Sequence, residues 1–301
     1  MPKHLHHIKS VSQINQLKGV ETQHPLISLI DQSKAKAFPS GKYVSDLYFI
    51  FLKDSWCAEI VYGRKHYDYQ DGTLVFIGAG QEFGFEYTEL PKVPPNGWGI
   101  AFHKDLLLGT TLQKTMDAYH FFDYRVSEAL HISVKERAVL LQIFLHLNQE
   151  INNPVDQHSR ILIVSQLELL LNYSKRFYER QFNTRVSNFH GLAEKINALL
   201  DDYYQQKLYL TQGTPSVAYC ADKFNLSPNY FGDLVKQHLG VSAQHFIQDY
   251  ILTRAKNYIQ TTKLSVKEIA TVLGFEYPNH FSRFFKEKTG SNPTAYKSIL
   301  N

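Results

Sequence analysis

Apolar residues change their spacing along this chain, and each spacing predicts a different element. From Leu47 to Phe102 they fall in short β-branched and aromatic runs: Leu47–Leu52, Ala58–Tyr62, Thr73–Ile77, Glu82–Tyr87 and Gly97–Phe102. Turn signals separate them, among them Gly63-Arg64, Asp71-Gly72 and Pro94-Pro95-Asn96-Gly97. Repeated short strands with no helix between them predict a small barrel or jelly roll. Gly78-Ala-Gly-Gln-Glu-Phe-Gly84 reads as a turn between strands, and residues 1 to about 45 predict no clear element. After Phe102 the period becomes helical. His103–Gly109 reads as a short helix, and Tyr119–Tyr124 as an aromatic patch closing the barrel. Ser133-x-x-Glu136 is a capping box that opens a helix to about Glu150, stopped by Asn152-Asn153-Pro154. A second helix runs from about Asp156 to Phe182, with Ile161, Leu162, Ile163, Val164, Leu167, Leu169, Leu170, Leu171, Tyr173, Phe177 and Tyr178 covering more than one face. A helix apolar around so much of its girth predicts burial on two sides. One side packs on the barrel; the other meets either its own subunit or a second copy across a two-fold axis.

Asn183–Phe189 is polar and reads as a linker, and a helix from Gly191 to about Gln206 leads into a repeat. Ser227-Pro-Asn-Tyr-Phe-Gly-Asp-Leu-Val-Lys-Gln-His-Leu-Gly240 aligns with Tyr277-Pro-Asn-His-Phe-Ser-Arg-Phe-Phe-Lys-Glu-Lys-Thr-Gly290. Upstream, Val217 and Ala221 match Val266 and Ala270 at an offset one residue shorter, so the slip falls in the turn. Two helix-turn-helix units are the natural reading, at residues 214–240 and 265–290. Thr214-Pro215 and Ser227-Pro228 read as N-caps with proline in the first turn, and Ser265-x-x-Glu268 as a capping box. Gly240, Gly274 and Gly290 suit left-handed helix ends. His245 to Thr261 forms one long helix that sets the distance between the units.

Here the chain resembles the AraC/XylS family of bacterial transcription regulators. The residues that carry the resemblance are Ile269-Ala270, Gly274-Phe275, Phe281-Ser282-Arg283, Phe285-Lys286, Gly290 and Pro293, with the run Lys175-Arg-Phe-Tyr-Glu-Arg-Gln-Phe182 upstream. The resemblance implies an α+β protein: a cupin-like sensor barrel (1–125), a helical dimerisation segment (126–189) and a DNA-binding domain (190–301). It also implies a double-stranded DNA operator, a homodimer, a small-molecule effector or partner of unknown identity, and RNA polymerase as a partner if the protein activates.

Each unit then offers one helix to a major groove. With Phe231, Leu234 and Val235 inward, Asn229, Tyr230, Gly232 and Asp233 are expected to face the bases. In the second unit these are Asn279, His280, Ser282 and Arg283. Arg283 suits guanine and Asn279 adenine. Lys236, Lys286 and Lys288 are expected on phosphates, helped by helix N-termini at Ser227 and Ser265. Asp233 departs from the resembled family, where this position is often basic. The second unit is therefore expected to supply more of the affinity.

Composition adjusts this picture without replacing it. The net charge is +4, yet the stretch from Arg254 to Asn301 alone carries +5, so the basic excess lies in and around the second unit. Cys57 and Cys220 are too few and too far apart for a disulfide framework or a cysteine zinc site, which fits a reducing cytoplasm. The start has no signal-peptide core, and no apolar run reaches membrane-spanning length. His4, His6 and His7 read as a frayed polar terminus, and His66-x-Asp68 with His103 lacks the histidine pair and glutamate of a metal-binding cupin, so neither metal nor cofactor is expected. The barrel aromatics fill the core or line a ligand site; strand register, which decides between these, is not legible. No nucleophile elbow or acid/base pair is present. Two rival readings remain: a cupin-type enzyme with an accessory helical domain, distinguished by bound metal, and a helical interaction module, distinguished by binding without steep salt dependence.

Overall fold

The computed structural model describes residues 5–53, 72–85, 96–184 and 191–300. The chain divides into two compact units, Met1–Gln181 and Phe182–Asn301.

Unit 1 is mixed α+β. It comprises β1 (Leu5–Ile8), α1 (Val11–Lys18), β2 (Ile27–Asp31), β3 (Gly41–Ser45), β4 (Leu47–Lys53), β5 (Thr73–Ile77), β6 (Phe83–Phe85) and β7 (Gly97–His103). Then come α2 (Thr111–Thr115), β8 (Leu130–His131), α3 (Val134–Asn152) and α4 (Ser159–Thr184), the last reaching into unit 2 by its final turn. The strands form two sheets, β1-β3-β6 and β2-β7-β4-β5-β8. All pairs are antiparallel except β1 with β3.

Strand alternation sorts the core. Leu47, Phe49 and Phe51 of β4 face one cluster with Ile8, Ile14, Tyr43, Val75, Phe83 and Ala101, drawn from both sheets and α1. Phe76 of β5 points away from that cluster, 4.3 Å between ring centroids from Phe121, and Phe121 stacks on Tyr178 of α4. The larger sheet is thus buried on both faces, which explains why β5 reads as an unbroken apolar run. Among the described residues the two sheets are not closed, so the expected barrel is not confirmed there, and one face of the larger sheet is covered by helical turns and α4.

Other expectations in unit 1 resolve individually. The aromatic patch Tyr119, Phe121, Phe122 and Tyr124 is buried. Among the described strand aromatics, Phe49, Phe83 and Phe85 pack on one another. Ser133 and Glu136 form the expected capping box, while His103–Gly109 is a single 3-10 turn, Lys104–Leu107. The N-terminal region does form elements: α1 is capped by Ser10 at its start and by Gly19, at φ 67°, at its end. On α4, Ile163, Val164, Leu167, Leu170 and Leu171 are buried, while Ile161, Leu162 and Leu169 are exposed. The expected strand Ala58–Tyr62 and the pair His66 and Asp68 lie outside the described residues. Among the described residues no three His, Cys, Asp or Glu side chains converge as metal ligands, and no helix is long and apolar enough to cross a membrane.

Unit 2 is all α. It holds α5 (Leu192–Gln205), α6 (Tyr209–Gln212), α7 (Val217–Lys223), α8 (Pro228–Leu239), α9 (Ala243–Thr261), α10 (Val266–Val272), α11 (Pro278–Thr289) and α12 (Pro293–Leu300). The stripe Leu192, Ile196, Leu200, Tyr203 and Tyr204 on α5 is buried. So are Ile247, Ile251, Ala255 and Ile259 of α9, spaced four, four and four.

Candidate nucleic-acid interface

The two halves of the repeat build the same object. In each, a short helix (α7 or α10) enters a turn through a left-handed residue, Asn225 at φ 57° or Gly274 at φ 87°. A second helix (α8 or α11) follows with proline in its first turn and ends at a left-handed glycine, Gly240 or Gly290. Small residues, Ala221 and Ala270, are fully buried on the first helices. The one-residue slip in the repeat falls between these left-handed positions and the prolines, where the second unit carries one residue more. The cap of α7 differs from expectation. Ser216, not Thr214, is the N-cap, its Oγ accepting the Tyr219 N–H at 3.1 Å, and Pro215 is buried just before it.

One tyrosine pair ties these parts together. Tyr203 donates its hydroxyl to the Gly213 carbonyl at 2.8 Å, and Tyr204 donates to the Leu273 carbonyl at the end of α10 at 3.1 Å. Arg254 of α9 lies over the Tyr204 ring at 4.5 Å and bonds the hydroxyls of Tyr250 and Tyr258 and the Asp201 carboxylate. Burial pushes the Tyr204 phenol well above its ordinary range, so it stays a donor. Gly213 and Gly274 meet backbone to backbone: a Cβ on Gly274 would sit 2.4 Å from the Gly213 oxygen. The first unit's entry and the second unit's turn are therefore locked to one another.

The outward faces are unequal. On α8, Tyr230, Phe231, Leu234 and Val235 are all buried, two apolar doublets one turn apart. Tyr230 is thus no base reader: it is 1% exposed, edge-on to Phe182 at 5.0 Å. The apolar arc of α8 is one residue wider than the spacing of Phe231, Leu234 and Val235 implied. Asn229 is exposed, and Gly232 and Asp233 are half-buried. On α11, Asn279, His280 and Arg283 are exposed and Ser282 is half-buried. His280 occupies the place that Tyr230 holds on α8, but points to solvent. Arg283 donates from Nε to Glu287 at 2.9 Å, one turn on, which holds the guanidinium without covering its terminal nitrogens.

Three of the expected phosphate contacts are redirected. Ser227 is buried, its Oγ accepting the Tyr230 N–H at 3.2 Å as the α8 cap. Ser265 is exposed, but Glu268 reaches back to its N–H and hydroxyl, both at 2.7 Å, and these bonds hold the carboxyl below its usual range. A carboxylate already seated on that N-terminus repels a phosphate. Lys288 faces α9, 3.4 Å from Asp249 and 3.2 Å from His245. Lys236 and Lys286 are exposed. Tyr277, not anticipated, is 53% exposed at the α11 N-cap, its ring 5.3 Å from that of His280. The repeat held the signal: an aromatic stands where the first unit has Ser227.

A protein-family profile described as a helix-turn-helix domain matches residues 220–299. The C-terminal unit contains a helix-turn-helix domain. A transcriptional regulator of Bacillus subtilis, YfiF, is 28% identical over 163 residues, 54% of this chain and 48% of that protein. The chain therefore spans about half the length of this relative. The transcriptional activator RhaS of Salmonella paratyphi A is 23% identical over 259 residues, 85% of this chain and 86% of its own. Among solved structures, the C-terminal domain of AraT from Geobacillus stearothermophilus is 27% identical, covering 35% of this chain and 84% of that one, at a TM-score of 0.30. In the helix-turn-helix domain of this chain, Cys220 is buried, which pushes its thiol up to about 12 and makes it part of the core.

Proposed function

We propose that this chain is a sequence-specific DNA-binding transcription regulator, and that its two capped helices α8 and α11 enter the major groove. The observation that carries this is the repeat: two units with the same turn chemistry, each with an outward helix face, joined through α9. Arg283 and Asn279 are the strongest candidates for base contacts, supported by their exposure on α11 and by their chemistry. Asn229, Gly232 and Asp233 are the candidates on α8, His280 and Ser282 those beside Arg283, and Lys236 and Lys286 those for phosphates. Activation is the expected mode, by likeness to RhaS, with RNA polymerase as partner. Unit 1 is assigned the role of a cupin-like sensor of a small effector, followed by a helical segment that dimerises. Exposed Ile161, Leu162 and Leu169 on α4 support pairing with a second copy. A cytoplasmic location follows from a DNA partner.

The test begins with selection of bound duplexes from a random pool, then titration of the selected operator. Arg283→Ala is expected to weaken binding by ~1–3 kcal/mol, the worth of a bidentate base contact, and to relax preference at one base pair. Asn229→Ala is expected to cost less. Equal losses would refute the unequal division between the units. Affinity that does not fall between about 50 and 200 mM salt would refute duplex binding altogether.

A further inference from the structure

Tyr277 stands at the N-terminus of α11 with about half of its surface in water, where the matching Ser227 of the first unit is buried and caps its helix. The tyrosine side chain makes no capping bond. A position suited to a small capping residue thus holds a large exposed ring. Among the described residues of unit 2, only Leu210 is a comparably exposed large apolar side chain. The place of Tyr277 on the helix is specific. Tyr277, His280 and Arg283 are spaced three and three, so they lie on one stripe, and all three are exposed. His280 meets the tyrosine ring edge-on, the ring planes at 75°, and so backs one side of it.

The polar end of this ring is already engaged. Glu276 accepts the Tyr277 hydroxyl, which pushes the phenol up. A carboxylate at that end repels a phosphate, so the hydroxyl is ill suited to the DNA backbone. What remains is the apolar ring, and the apolar group that a major groove presents is the thymine 5-methyl. Recognition helices contact base edges through residues at their N-terminal end, which is where Tyr277 lies. We propose that Tyr277 reads a thymine, its ring packing on the 5-methyl group in the groove beside His280. This inference rests on the reading of α11 as a helix that enters the major groove, and it names a further base which that helix selects.

The experiment titrates the full chain against the operator selected from the random pool. Copies in which each thymine in turn is replaced by deoxyuridine, which lacks only the 5-methyl, are titrated beside it. One replacement is expected to weaken binding about fourfold, the worth of burying one methyl group. Tyr277→Ser, which installs the first unit's capping residue, is expected to bind those two duplexes alike, and Tyr277→Phe to keep the difference. No replacement that weakens binding, methyl effects that all survive Tyr277→Ser, or a loss of the effect in Tyr277→Phe would each overturn the proposal. The thymine–deoxyuridine comparison uses the unaltered protein, so it stands even if a variant folds poorly. A duplex bound with no methyl effect through Tyr277 sinks this inference alone. No duplex bound sinks the regulator reading, and this inference with it.

Discussion

Gly274→Ala tests how tightly the two reading units are locked. Gly274 sits at φ +87°, where an L-residue costs roughly 1–2 kcal/mol. The added methyl would also lie 2.4 Å from the Gly213 oxygen, 2.5 Å from its carbonyl carbon and 2.9 Å from the Thr214 nitrogen. Carbon contacts are comfortable at about 3.5–4.0 Å, so two backbones must separate by about 1 Å, with an overpacking cost of typically 1–3 kcal/mol. The expected loss is therefore ~2–5 kcal/mol. Gly240→Ala is the control: it has φ +73° but nothing within 4 Å of its Cβ, so only the conformational cost of about 1–2 kcal/mol applies. Urea titration read by hydrogen exchange of peptides from residues 191–300 isolates unit 2 from unit 1. Operator affinity is measured on the same variants, and Gly274→Ala is expected to lower it where Gly240→Ala does not. If the two substitutions destabilise unit 2 equally, the backbone contact between Gly213 and Gly274 does not hold the units together, and the reasoning fails.

The remaining predictions concern single groups. The Lys18 amine has a folded value near 8, below its ordinary 10.5, so the unfolded chain holds more protons between those values and stability rises with pH across that window. The drop corresponds to ~3 kcal/mol at most, and Lys18→Met is expected to stabilise unit 1 at pH 7 and to flatten the rise. Denaturation at pH 7 and about 9.5 checks both. Tyr204→Phe leaves the Leu273 carbonyl without its donor and is expected to cost unit 2 about 1–2 kcal/mol in urea unfolding. Ser265→Ala removes the α10 cap and is expected to lower stability by ~1 kcal/mol with no change in the salt dependence of DNA binding. A slope reduced by about one would restore Ser265 as a phosphate contact.

Much of unit 2 was legible because its signals are local. The caps at Ser227 and Ser265, the left-handed glycines and the apolar stripes act within a turn of their own residues, and the repeat doubled each signal. Tyr230 escaped because a tyrosine on a helix flank suits either side, and only the neighbouring Phe182 decides. Lys288 and Ser227 escaped for the same reason: their type fits a phosphate, but the groups that occupy them come from α9 or from their own cap.

By itself, the order of residues determined the helices of the two helix-turn-helix units and the strand character of Leu47–Leu52, Thr73–Ile77 and Gly97–Phe102, since periodicity and capping depend on near neighbours. Tertiary structure alone decided that helical turns and α4 cover one face of the larger sheet. It also decided that Gly213 meets Gly274, that Arg254 lies between tyrosines from two helices, and that Lys18 is buried beside Gln32. Those arrangements join residues far apart along the chain, and long-range packing leaves no periodic trace from which to read them.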